Sequence, residues 1–323
     1  MAENHYDILI VGTGPAGATA AFYGQRLGLK TVVFGDTPGG ITYMIESLVD
    51  FPSIVGGISG TEFGVKLFQQ AQMEGTMFTM SLLDTLKETD DQFIATDTNG
   101  LTYTAPCAVV ATGRAPKRLQ VAHSDMKGVS FCSVCDGPLF RDKDATIAVV
   151  GSNNAAGQHA LTLSRIATKV YLICKSQTLL MDAAHRQLVA DQENIDVLTG
   201  TEATGYVGLD CVESIAVTTS DGETKHFAVD AVFPAIGWEP NIKWLDFPVK
   251  RTPEGYLITD ETLMTSKAGL FAAGDIRAKK LYQVLTACAD GARVAKYVSE
   301  FLEKTNGSLS RKPEIGKIQA PSS

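Results

Sequence analysis

Two cysteines three positions apart, with an acid directly after the second, are the residues of this 323-residue chain best suited to chemistry: Phe131-Cys132-Ser133-Val134-Cys135-Asp136-Gly137. A C-x-x-C pair can close a small disulfide ring and open it again. The attacking species is a thiolate, so the pair needs a proton carrier close by, and Asp136 is adjacent. The same spacing also occurs as half of a zinc site, or as two unrelated core cysteines. Zinc requires a second ligand pair, and the nearest histidines, His123 and His159, have no fitting spacing. The other cysteines, at 107, 174, 211 and 288, stand singly in apolar surroundings and read as buried, inert thiols. Scattered thiols without an export signal point to a reducing, cytoplasmic compartment, where a C-x-x-C is catalytic or metal-binding.

A dithiol that turns over needs elements to position it and a carrier to drive it. Tyr6 to Val11 reads as a buried strand, followed at once by Gly12-Thr13-Gly14-Pro15-Ala16-Gly17, a helix over Ala18 to Leu27 and a second strand over Lys30 to Phe34. Strand, G-x-G-x-x-G, helix and strand together form a dinucleotide-binding βαβ unit. Gly12 serves the tight turn, Gly14 lets backbone approach a pyrophosphate, Gly17 lets helix and strand pack closely, and the helix N-terminus faces the anion. The acid that commonly holds a ribose at the end of the second strand is displaced: Phe34-Gly35 stand there, and Asp36 comes two positions late. Thr37-Pro38-Gly39-Gly40-Ile41 is a second glycine turn. Ser59 to Gly75 reads as a capped amphipathic helix, residues 76 to 104 as strands turning at Asn99-Gly100, and Ala108 to Gly113 as a buried strand ending in a small-residue turn that admits a flat cofactor.

The pattern then restarts with a strand at Ala145 to Val150, a turn at Gly151 to Ala156, a helix at Gly157 to Ala167 and a strand at Val170 to Cys174. Strands from Glu213 to Val229 turn at Asp221-Gly222, Asp230 to Gly237 closes the insert, and Gly269 to Asp275 precedes a helix over Gln283 to Leu302. The tail after Lys304 is polar. The expected fold class is α/β, with two Rossmann-like nucleotide-binding domains in three layers (ββα). Residues 1–115 with 245–323 make one domain, and 116–244 an inserted second one carrying the C-x-x-C. A net charge of -8 argues against nucleic acid and anionic membrane as partners. No run approaches the roughly 18 apolar residues of a membrane span.

In their order, Gly12 to Gly17, Gly39-Gly40, Ala111-Thr112-Gly113, Cys132 to Gly137, Ala235-Ile236-Gly237-Trp238-Glu239-Pro240-Asn241, Gly269 to Asp275 and Gln283 to Ala287 resemble the motifs of the low-molecular-weight thioredoxin reductases, over essentially the whole chain to about residue 303. The resemblance implies the class II architecture of the pyridine nucleotide-disulfide oxidoreductases, a homodimer, and an inserted domain that rotates between the flavin and a thioredoxin-like protein. It implies FAD held by Gly12, Thr13, Gly14, Pro15, Ala16, Gly17, Asp36, Gly39, Gly40, Ile41, Asp50, Ala111, Thr112, Gly113, Gly274, Asp275, Gln283 and Val284. By the same resemblance Cys135 is the flavin-proximal thiolate, Cys132 attacks the partner disulfide, and Asp136 moves the proton.

The second nucleotide unit departs from that family. Asn153 replaces the middle glycine, and its side chain is expected to intrude on a pyrophosphate. Where the family carries His-Arg-Arg-x-x-x-Arg, this chain reads Cys174-Lys175-Ser176-Gln177-Thr178-Leu179-Leu180. Two missing charge-assisted contacts at about 1.5 kcal/mol each cost about 3 kcal/mol, roughly a hundredfold in affinity. NADPH is therefore doubtful as a cofactor, and NADH meets the same asparagine. Some relatives that lack the nicotinamide signature take electrons from ferredoxin, while others cover the flavin with an aromatic tail. No aromatic residue follows Phe301 here, so a ferredoxin-type donor leads. The alternatives are a dithiol oxidase that passes electrons through the flavin to oxygen, and a flavin-binding redox sensor.

Overall fold

The computed structural model describes residues 4–89, 92–242, 244–245 and 247–305. It falls into two compact units: the chain up to Arg114 and again from Pro240 makes the first, and Ala115–Glu239 the second. The chain opens on β1 (Ile8–Val11), whose four residues are all buried, as suits a strand covered on both faces. Helix α1 (Pro15–Arg26) begins inside the glycine motif, ahead of the Ala18 start expected from the apolar pattern. Pro15 is suited to that first position, since the amide it lacks would have no partner within the helix. After β2 (Thr31–Phe34), helix α2 (Gly60–Met73) is capped by Ser59, whose hydroxyl accepts the Glu62 N–H, as the sequence indicated. Then come β3 (Met77–Phe78), β4 (Leu83–Glu88), β5 (Phe93–Asp97), β6 (Thr102–Ala105), β7 (Cys107–Val110) and β8 (Arg114–Pro116). At the Asn99-Gly100 turn the Asp97 carboxylate accepts the N–H groups of Asn99 and Leu101.

The second unit opens with the one-turn helix α3 (Ser133–Asp136), followed by β9 (Thr146–Val150), α4 (Asn154–Ser164), β10 (Lys169–Ile173), α5 (Ala183–Ala190) and β11 (Ile195–Leu198). The antiparallel strands β12 (Thr201–Val207), β13 (Ser214–Thr219) and β14 (Thr224–Ala228) follow, then β15 (Ala231–Pro234) and β16 (Trp238–Pro240). A parallel sheet of order β11-β10-β9-β15 forms its centre. Alternation along β9 creates the three layers. Ile147 and Val149 join the core that includes Leu163 of α4, whereas Ala148 and Val150 join the core that includes Val217 of β13. Helix α5 is hard to read from the sequence, because Val189 is its one buried residue.

The return to the first unit supplies β17 (Leu270–Ala272) and the long helix α6 (Val284–Thr305). Its parallel sheet runs β17-β7-β1-β2-β3, beside an antiparallel sheet β4-β5-β6. Helices α1 and α6 lie so close that a side chain at Gly291 would come within 2.4 Å of the Ala16 carbonyl oxygen. The polar segment beyond Thr305 lies outside the described residues.

Candidate functional site

Cys132 and Cys135 form a disulfide with their Cα atoms 5.3 Å apart, inside the range such a bridge requires. Cys132 is the cap of α3, and its sulfur accepts the Cys135 N–H at 3.1 Å. Once the bridge is open, that amide stabilises negative charge on Cys132. Asp136 is tied to the pair by a hydroxyl the sequence reading did not single out. The Ser130 Oγ donates to Asp136 Oδ2 at 2.6 Å and accepts the Cys132 N–H at 3.1 Å. The carboxylate is thereby oriented two hydrogen bonds from the first cysteine. The turn rests on α4. A side chain at Gly137 would meet Leu163 at 3.2 Å, and Ser133 Oγ lies 2.7 Å from His159 Nδ1. Burial pushes the His159 imidazole down to about 4, so the ring is neutral at ordinary pH.

The first nucleotide turn divides its glycines by task. A side chain at Gly12 (φ +115°) would lie 2.4 Å from the Ala111 carbonyl oxygen, and one at Gly17 would lie 1.9 Å from the Gly12 oxygen. At Gly14 the nearest atom, the Gly39 oxygen, would be 3.9 Å away. Gly12 and Gly17 thus close the packing, while Gly14 leaves an open approach to an α1 N-terminus that no side chain caps. Thr13 is buried, donates its hydroxyl to the Thr37 oxygen at 2.5 Å and accepts the Gly39 N–H at 3.0 Å. A side chain at Gly40 (φ +54°) would lie 3.0 Å from the Gly14 Cα. The two glycine turns therefore close on one another. Ala111 joins them through Gly12, and Gly274 (φ +77°) sits where a side chain would meet Ala16 at 2.7 Å.

Other expected cofactor residues stand nearer the edge of this cradle. Gly113 (φ +63°) has nothing within 4 Å of a side-chain position, and Thr112 donates its hydroxyl to the Asn241 oxygen at 2.6 Å. Asp36 is exposed and accepts the Thr37 hydroxyl at 2.9 Å. Ile41 and Asp50 are exposed, the latter within the loop that the Leu48–Ile58 pairing closes. Gln283 and Val284 stand at the start of α6, where the Gln283 N–H donates to Thr286 Oγ at 3.1 Å.

Asp275 anchors a charge cluster that the motifs did not announce. Its Oδ2 pairs with Arg114 at 2.9 Å, and its Oδ1 stands 3.1 Å from Lys279 Nζ yet is buried without a hydrogen bond. Arg114 also stacks over the Tyr282 ring at 4.3 Å. Behind it, buried Asp290 accepts the Gly274 N–H at 3.1 Å and pairs with Arg277 and Lys279. An uncapped helix end behind an open glycine, open space at Gly113 and a carboxylate oxygen that Lys279 pairs with but does not hydrogen-bond are what a dinucleotide with a hydroxyl-bearing linker needs, so these residues fit FAD.

The second glycine turn is built differently. Gly151 (φ +151°) repeats the Gly12 role, with a side-chain position 2.5 Å from the Ala235 oxygen. Asn153 stands where the sequence predicts a side chain that intrudes on a pyrophosphate. Its side chain folds back as the cap of α4, accepting the Ala156 N–H at 3.0 Å and donating to the Ala235 oxygen at 3.3 Å. Asparagine is among the strongest capping residues, and that preference decides its orientation. The following loop closes over the turn. Leu180 N–H donates to the Ser152 oxygen, Asn154 and Asp182 exchange two hydrogen bonds of 2.8 Å, and Met181 fills the space beside Gly157. Lys175 is engaged by Glu202 at 2.6 Å. Cys174 is buried and donates its thiol to the Gly151 oxygen, and burial pushes it up to about 11. The second turn thus differs from the first in its capped helix end and its paired lysine.

Residues 6–291 match the pyridine nucleotide-disulphide oxidoreductase family. The chain is 35% identical to the thioredoxin reductase of Treponema pallidum over 306 residues, 93% of this chain and 98% of the relative. It is 34% identical to that of Mycoplasma pneumoniae, over 88% and 92% of the two chains. Its fold resembles the solved thioredoxin reductases of Lactococcus lactis (TM-score 0.85, 26% identity, 92% and 99% of the two chains) and of T. acidophilum (TM-score 0.83, 27% identity, the same shares). The chain belongs to the pyridine nucleotide-disulphide oxidoreductases. Within them it is a flavin-dependent disulfide oxidoreductase of the low-molecular-weight thioredoxin reductase type. No helix among the described residues is long and apolar enough to cross a membrane.

Proposed function

We propose that this enzyme reduces the disulfide of a thioredoxin-like protein through Cys132 and Cys135, acting as a cytoplasmic homodimer, and that its flavin is reduced by a ferredoxin-type, low-potential protein rather than by NADPH. FAD, when bound, supplies the electron pair that opens the Cys132–Cys135 bridge. The Cys132 thiolate, favoured by the Cys135 N–H, attacks one sulfur of the partner's disulfide. A bond forms between Cys132 and that sulfur, and the partner's other sulfur leaves as a thiolate. Asp136, held by Ser130, supplies its proton. Cys135 then gives its proton back to Asp136, attacks the Cys132 sulfur, restores the bridge and releases the second partner sulfur as a thiolate, so one partner disulfide becomes a thiol and thiolate as this chain's thiol and thiolate become a disulfide.

The reading on the donor is carried by the contrast between the two helix ends. Gly14 leaves the amides of α1 open, whereas the Asn153 carboxamide already occupies the Ala156 N–H of α4. A pyrophosphate arriving at α4 would have to displace that cap and the Asn154–Asp182 pairing, beside a carboxylate and without an unengaged cation at Lys175. Calorimetric titration of the FAD-loaded protein with NADPH tests this. Two absent arginine contacts move a micromolar site to roughly hundreds of micromolar, so no saturation is expected at lower concentrations. A micromolar dissociation constant would overturn the reading.

A further inference from the structure

While the Cys132–Cys135 bond is closed, covalent geometry holds the two sulfurs together. Once it opens, only the surrounding contacts keep them in register. Ser130 and Asp136 bracket the pair from the same short stretch of chain. Ser133, the first of the two residues between the cysteines, is buried and its hydroxyl meets the His159 ring at 2.7 Å, on a helix that starts from a different part of the chain. We propose that His159 is a positioning residue of the dithiol, anchoring Ser133 to α4 so that the opened Cys132 and Cys135 stay within bonding distance.

Three features support this assignment. Ser133 is 3% exposed, so its hydroxyl needs a partner from the protein, and His159 provides one. The imidazole is neutral, so the contact keeps the same character across the pH range in which thiolates work. Helix α4 is a firm support at this level, because Leu163 and Ile166 already pack against the Gly137 end of the same turn. The helix whose N-terminus is closed to a nucleotide by Asn153 thus presents its flank to the dithiol.

The consequence falls on the equilibrium between dithiol and disulfide. Positioning raises the effective concentration of one thiol at the other and so favours the closed bridge. The test uses the full-length, FAD-loaded protein, equilibrated in dithiothreitol redox buffers and scored by alkylation of Cys132 and Cys135. His159→Ala is expected to shift the equilibrium about tenfold towards the dithiol, a midpoint about 30 mV higher. Ser133→Ala should give the same shift, the double variant no more than either alone, and His159→Asn, which keeps a polar atom near the position of Nδ1, should return most of the way to wild type. Thermal melting reports whether each variant is folded. Should His159→Ala fail to fold, Ser133→Ala and His159→Asn carry the comparison. A change below threefold in the folded variants, or single shifts that add in the double variant, would overturn the proposal. The inference rests on the pair being the working dithiol. Failure of that premise would show separately, as a wild-type disulfide that no flavin reductant opens.

Discussion

Cys132 and Cys135 are three residues apart and differ in nearly everything else. Cys132 is buried and takes an amide hydrogen bond, while Cys135 is exposed. The sequence showed the pair and its acid because that chemistry is contiguous. The Ser133–His159 contact is not legible there, because it joins residues on separate elements. The burial of His159 has a measurable consequence for stability. The imidazole titrates near 6.5 when unfolded and near 4 when folded, so between those values the unfolded chain binds the extra proton. Stability from this group is complete above 6.5 and falls as pH drops towards 4, by up to about 3 kcal/mol. Denaturant unfolding of wild type and His159→Asn at pH 7 and pH 4.5 should show the larger acid loss in wild type. An equal loss in both would contradict the account of this residue.

Two helices that each follow a strand and a glycine turn, α1 and α4, differ in the residue at the cap, Gly14 against Asn153. Strand, turn and helix were legible at both sites, since each turn carries glycines that the backbone requires. The capping geometry at Asn153 was not, because the sequence shows a side chain where a glycine is expected but not which way it folds. The glycines of the first turn can be separated by substitution. Gly17→Ala places a carbon 1.9 Å from the Gly12 oxygen, so the fold itself should weaken by several kcal/mol. Gly14→Ala has 3.9 Å of clearance, so the FAD-free protein should lose no more than about 1 kcal/mol, while FAD affinity falls at least tenfold. Melting of the FAD-free variants and fluorescence titration with FAD distinguish the two. A Gly14→Ala protein that binds FAD as tightly as wild type would show that the cradle is not where the pyrophosphate lies.

At the scale of the whole molecule, the α/β fold class was legible in the ordered motifs, because each strand–turn–helix unit repeats a periodic, buried pattern. The charge cluster was harder to read: Arg114 and Asp290 come from other parts of the chain and meet Arg277 and Lys279 beside the Gly274–Asp275 turn only when the chain folds. One nucleotide fold leaves its helix end without a side-chain cap, and the other caps its helix end with Asn153. The proposed route brings electrons into the flavin from a donor other than NADPH. Anaerobic stopped-flow mixing of the FAD-loaded protein with NADPH, NADH or reduced ferredoxin, with flavin absorbance as the readout, tests it most directly. The account predicts rapid bleaching by reduced ferredoxin and none by either nicotinamide at micromolar concentration. Rapid bleaching by micromolar NADPH would contradict it.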